Sequence, residues 1–168
     1  MSQPKQTAAN VGRRRQRGVM LVGLLILMFL SAVLAMTGME VWATTRQRER
    51  EAELLFVGDQ YRQAIRRYYF AAASGQTREL PAKLEDLLSD DRFPVPAQHL
   101  RRLYPDPITG SKDWGLAMRG DRIVGVHSLS EMAPVKQTGF EQINATFEAR
   151  TAYKDWVFLF IPSATRRR

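Results

Sequence analysis

Three hydrophobic patterns follow one another along the chain. From Val19 to Met39 there are 21 residues without a charge, bounded by Glu40. A helix of about 20 residues, rising roughly 1.5 Å each, matches the roughly 30 Å hydrocarbon core of a bilayer, so this run predicts a transmembrane helix over 19–42. Beyond it the chain continues to Phe70 without proline, and Leu54, Gly58, Tyr61, Ile65 and Tyr68 recur at alternating steps of four and three. That spacing draws one apolar stripe along a helix. The opposite face carries Arg46, Arg48, Arg50, Asp59, Arg62, Gln63 and Arg66. Pairs such as Arg46 with Glu49 and Arg50 with Glu53 suit a solvated surface. An amphipathic helix over 43–73 is therefore expected to continue the membrane segment, giving one helix from Val19 to Ala73 roughly 80 Å long.

The third pattern is made of shorter elements. A loop leads to a short helix over Ala82–Leu88, with Pro81 near its first turn and Leu84, Leu87 and Leu88 on its apolar face. Trp114 to Met118 and Arg122 to His127 flank the turn Arg119, Gly120, Asp121, which is a hairpin signal, and Asp155 to Ile161 supplies a third strand. Between them, Phe140, Ile143 and Phe147 are spaced for one face of a helical turn. The fold class is α+β: a long N-terminal transmembrane and amphipathic helix packed against a small three-stranded antiparallel sheet. Helix stripe and sheet each need the other to bury an apolar face. The organisation is a basic leader (1–18), the membrane helix (19–42), its amphipathic continuation (43–73), an exported α+β domain (74–162) and a basic tail (163–168).

Charge separates this reading from a nucleic-acid-binding one. The formal net charge is +8, but Lys5, Arg13, Arg14, Arg15 and Arg17 stand in the leader without an acid and Arg166, Arg167 and Arg168 form the tail, leaving the body neutral. A nucleic-acid partner would need basic residues clustered on one folded face. Arg13, Arg14, Arg15 and Arg17 instead form a topology signal: by the positive-inside rule the N-terminus is cytoplasmic and the C-terminal domain periplasmic, in a single-pass inner-membrane protein in contact with membrane lipid. An ordinary secretory signal is the rival, yet the apolar run exceeds the roughly 7–15 residues of such a segment and flows into more helix. The absence of cysteine excludes disulfides, thiolate clusters and a cysteine nucleophile.

With a basic leader ending in Gly18, an apolar segment beginning at Val19 and a long helix ahead of a small sheet, the chain resembles the type IV pilin and type II secretion pseudopilin superfamily, with an atypical prepilin-type N-terminal methylation signal. The resemblance implies that a prepilin peptidase cuts between Gly18 and Val19, that Val19 is then N-methylated, and that the helix packs with other pilin-like subunits. A second point of resemblance is the loop Pro105, Asp106, Pro107 followed by Trp114 and Gly115. One departure stands out. The family usually carries glutamate at mature position five, where this chain has Gly23, which turns the expectation from a major filament subunit to a minor one. The alternative is a non-assembling single-pass scaffold or interaction protein.

No cofactor, metal or enzymatic activity is expected. Asp106, Asp113 and Glu131 offer oxygens, but calcium takes about six to eight of them and the aspartate-rich loop of the major type II subunits is missing. Asp90 and Asp91 read as a solvated pair ending a helix. His127 and Ser128 are neighbours on a strand and point to opposite faces, so they do not form a base and nucleophile pair. No phosphate-binding, dinucleotide or nucleophile-elbow motif is present.

Overall fold

The computed structural model describes residues 12–72 and 77–162. The leader residues 1–11 and the arginine tail lie outside them, and within the first helix no side chain is described over 12–17 or 34–41. The chain is α+β. Helix α1 runs Gly12–Phe70, β1 is Gly115–Arg119, β2 is Arg122–His127 and β3 is Phe158–Leu159. Single 3-10 segments occur at Leu84–Leu87, Gln142–Phe147 and Tyr153–Asp155. The sheet is antiparallel throughout, in the order β1-β2-β3.

Two compact units divide the chain at Thr44 and Thr45. In the first, every apolar side chain described between Val19 and Val33 is exposed, from 45% at Val33 to 76% at Met20. Among the described residues no helix is long and apolar enough to cross a membrane. The side chains described in the apolar run, 19–33, account for about 22 Å of helix, short of the roughly 30 Å a span needs.

In the second unit the expected stripe is the core face of α1. Leu54, Tyr61, Ile65 and Tyr68 are buried, and Val57 and Ala64, seven residues apart, widen the stripe along one side. Against it lie Leu87, Leu100, Ile123, Val126, Phe147, Trp156 and Phe158. Gly58 is the point of closest approach, because a Cβ placed there would sit inside van der Waals contact with the Phe158 ring. The aromatic residues at the C-terminal end interlock: Phe147 stacks on Trp156 at 5.5 Å with planes 3° apart, and Phe140 meets both rings edge-on.

The hairpin forms where expected. Arg119 pairs with Arg122 across Gly120 and Asp121, and Gly120 takes φ +64°, as the first central residue of a type II′ turn requires. A bulge shifts the register between Ala117 and Met118 and leaves Val124 opposite no residue of β1. The extra residue breaks the two-residue alternation, and Ile123, Val124, Gly125 and Val126 are all buried.

Four expectations need correction. The third strand is two residues long, not seven, because at its start the amides of Asp155 and Trp156 bond back to the carbonyls of Ala152 and Tyr153 in a 3-10 turn instead of to β2. The helix expected at Ala82–Leu88 is a single 3-10 turn, Leu84–Leu87. The Asp86 carboxylate accepts the amides of Ala82 and Lys83, each at 2.9 Å, and delays the helical start. Ile143 does not share a buried face with Phe147; it is 61% exposed. Finally α1 ends at Phe70, three residues before its expected end.

Candidate functional site

The residues singled out in the sequence fall into two groups. Gly18, Val19 and Gly23 lie on the first unit's helix, where a Cβ at Gly18 or Gly23 would meet nothing within 4 Å and Val19 is exposed. The side chains of Arg13, Arg14, Arg15 and Arg17 fall outside the described ones. The chemistry of the described side chains on this stretch is that of an uncovered apolar helix surface.

Pro105, Asp106, Pro107, Trp114 and Gly115 are brought together in the second unit. Both prolines fix their own φ and lack a donor, so the loop is a stiff corner. The Asp106 carboxylate is fully buried at its centre. It accepts the Ile108 amide at 2.9 Å, the Thr109 hydroxyl at 2.9 Å and the Ser128 hydroxyl at 2.7 Å. The Asp106 backbone closes the same loop, its N–H on Ser111 and its carbonyl on the Gly110 amide. A buried carboxylate saturated by donors in this way is a structural tie. Trp114 donates its indole N–H to the Tyr104 carbonyl at 2.8 Å, and the Tyr61 hydroxyl spans both backbone groups of Tyr104. Burial pushes the Tyr61 hydroxyl up to about 12, against the effect of its backbone hydrogen bond. Gly115 stands opposite His127 in the hairpin, and any Cβ there would enter the imidazole ring.

This arrangement fixes the roles of the remaining candidates. The Ser128 hydroxyl donates a hydrogen bond to Asp106 and accepts one from the Ser130 amide, while a His127 ring nitrogen lies 2.9 Å from the Ser128 carbonyl, so the two side chains are not in a nucleophile and base relation. Asp113 accepts the Ser111 hydroxyl and Glu131 pairs with Lys154. Asp106, Asp113 and Glu131 therefore have separate partners, and among the described residues no group of three or more His, Asp or Glu is placed to hold a metal.

Three charged residues depart from the sequence reading. Asp90, expected in solvent, is buried beneath His99 and Arg92. Arg92 grips it with Nε at 2.8 Å and Nη2 at 2.6 Å, and Nη2 also caps the Tyr68 carbonyl in the last turn of α1. Burial alone raises the Asp90 carboxyl, but the hydrogen bonds from Arg92 and His99 outweigh it and hold the group down at about 2. Arg62, placed on the solvated face by its spacing, is 5% exposed; it donates to Asn144 at 2.6 Å and lies over the Phe158 ring. Burial lowers its pKa, the charge of Asp59 opposing.

Glu51 is the third. It sits within the charged run of 46–53, yet it is buried and accepts the amides of Val135 and Lys136 and the Tyr153 hydroxyl. Gln47, one turn earlier, donates to the Ala133 carbonyl and to Tyr153. Together they clasp the segment 131–137 onto α1. Burial pushes the Tyr153 hydroxyl up to about 12, with the Glu51 carboxylate adding to it. Nothing in the sequence marks Glu51 for this role: the run 46–53 balances three arginines with three glutamates, and Arg48 stands three residues before Glu51 as Arg46 does before Glu49. No family model matches the chain, and no curated protein or solved structure is significantly similar to it.

Proposed function

We propose that this chain is a pseudopilin-like, membrane-anchored subunit of a type II secretion or type IV pilus system, a minor one, which assembles through its N-terminal helix and acts without enzymatic chemistry. The observation that carries the reading is the helix surface from Val19 to Val33, apolar on every side and exposed throughout. Such a surface is stable only when lipid or other apolar helices cover it. The basic leader ahead of it, Gly18 at the junction and the small α+β domain that follows support the same assignment, as does the proline corner with its Trp114 and Gly115. The sequence run to Met39 supplies the length of a full span, with the N-terminus cytoplasmic and the domain periplasmic.

Gly23 favours a second reading, a single-pass scaffold that keeps the architecture and does not polymerise, because no carboxylate is available at that position to neutralise a neighbouring amino terminus in the membrane. Mass spectrometry of the membrane-extracted protein separates the two. A mature chain beginning with N-methylated Val19 is the expected result; intact residues 1–18 would refute processing and leave the scaffold.

A further inference from the structure

Beyond the N-terminal helix, the second unit carries a groove of about 880 Å³ between the solvent side of α1 and the outer edge of β3. Its apolar surface comes from Phe70, Leu159 and Ile161, which are 50%, 39% and 59% exposed, and from Ile143 at 61%. β3 is the edge strand of the sheet. Phe160 donates its amide to the Val124 carbonyl at 2.8 Å, so in extended chain the N–H and C=O groups of Leu159 and Ile161 turn to the opposite side, along the groove. Among the described residues no strand pairs with this edge, and such an edge is a template for one more strand.

The charges on the rim select the occupant. Arg62, Arg66 and Arg67 line the groove with Asp59 and Glu141. Asp59 pairs with Arg62, and the charge of Glu141 also acts on Arg62, so both acids are directed at the buried arginine. Arg62 Nε is buried without a hydrogen-bond partner, and Nη1 has the 3.5 Å ion pair with Asp59 in place of a hydrogen bond. Arg66 and Arg67 are exposed, and among the described residues neither has an acidic partner. We propose that the groove receives an extended segment of a partner protein, alternating acidic and apolar residues, which adds to β3 as a fourth strand. Main-chain bonds to Leu159 and Ile161 would hold it, apolar side chains would cover Phe70 and Ile143, and carboxylates would meet Arg66 and Arg67. The chain's own tail is a poor occupant, since it ends in three arginines. A second copy pairing β3 to β3 would bring Phe158 to Ile161, a stretch without an acid, against the same arginines.

The test uses the full chain in detergent micelles and fluorescein-labelled octapeptides, one alternating glutamate and valine and one alternating lysine and valine, read by anisotropy. The glutamate peptide is expected to bind about tenfold more tightly than the lysine peptide or more, and to weaken as salt rises. Methylating all of its backbone amides, which removes the strand donors without touching the protein, is expected to abolish binding. Ile161→Pro removes the outward donor and should weaken binding about tenfold at unchanged circular dichroism, and the pair Arg66→Glu with Arg67→Glu should invert the preference. Equal binding of the two peptides, no binding of the glutamate peptide, or indifference to amide methylation would overturn the proposal. So would binding that appears only after residues 163–168 are removed, which would make the tail the occupant.

Discussion

Changing Asp90 to Asn probes the buried ionic tie that joins the 90–99 loop to the end of α1. In the folded chain the carboxyl lies at about 2 instead of its ordinary 3.8, with Arg92 and His99 overcoming the cost of burial. At about 1.4 kcal/mol for each pH unit, the ionised form contributes roughly 2 kcal/mol to stability. The side chain is fully buried, so solvent screening takes little from that figure. Because the folded value is depressed, the contribution is present in full above about pH 4 and is lost as the pH falls through about 2. Asparagine keeps the size and one acceptor but not the charge that Arg92 grips. Urea denaturation of the full chain in detergent, followed by near-ultraviolet circular dichroism, should find Asp90→Asn less stable by roughly 2 kcal/mol at pH 7. At pH 2 the gap should shrink below about 0.5 kcal/mol, since the native carboxyl is by then half protonated. An equal gap at both pH values would show that the loss is one of shape or of neutral hydrogen bonds, and would refute the ionic account.

Glu51→Ala should cost about 2–4 kcal/mol by stranding the Val135 and Lys136 amides and the Tyr153 hydroxyl. Hydrogen exchange should speed up at those amides first. Gly58→Ala, a change that stabilises an exposed helix by up to about 1 kcal/mol, should here destabilise by roughly 1–3 kcal/mol because the methyl enters the Phe158 ring. Adding Phe158→Leu should recover part of that loss in thermal unfolding. In an ultraviolet titration at alkaline pH, Tyr61 and Tyr153 should ionise last, near 12. Their raised values mean that stability held below about pH 10 drains away as the pH rises through 12. Ionisation of Tyr61 or Tyr153 at the ordinary tyrosine value of 10 would contradict their burial.

What could be read from the sequence was local. The α1 stripe followed from helical periodicity, the hairpin from Gly120 between two apolar runs, and the stiff corner from Pro105 and Pro107. The buried state of Asp106 was not available beforehand, because its third donor, Ser128, arrives from the far side of the hairpin. Burial of a charged side chain depends on distant partners, which explains the other misses. Glu51 answers to Tyr153 and Arg62 to Asn144, each more than eighty residues away, and helical spacing registers neither. Asp90 failed for a different reason: the partners were close in sequence, but Arg92 turned back onto the helix end instead of into solvent. The third strand is shorter than its apolar run suggests since such a run looks the same whether its first amides pair with a strand or close a turn on the carbonyls of Ala152 and Tyr153.

The contact between Gly58 and Phe158 also sets the order in which the domain can be completed during synthesis. About a hundred residues of chain separate the two. At roughly 5–20 residues per second, α1 emerges some 5–20 seconds before the ring that fills its groove. For that interval Leu54, Tyr61 and Ile65 have no Phe158 and no Trp156 to cover them, and the long loop closure adds its own delay. The helix is thus made early and finished last, and a chain released before Phe158 would leave the stretch of the stripe around Gly58 open to whatever holdase or membrane surface stands nearest.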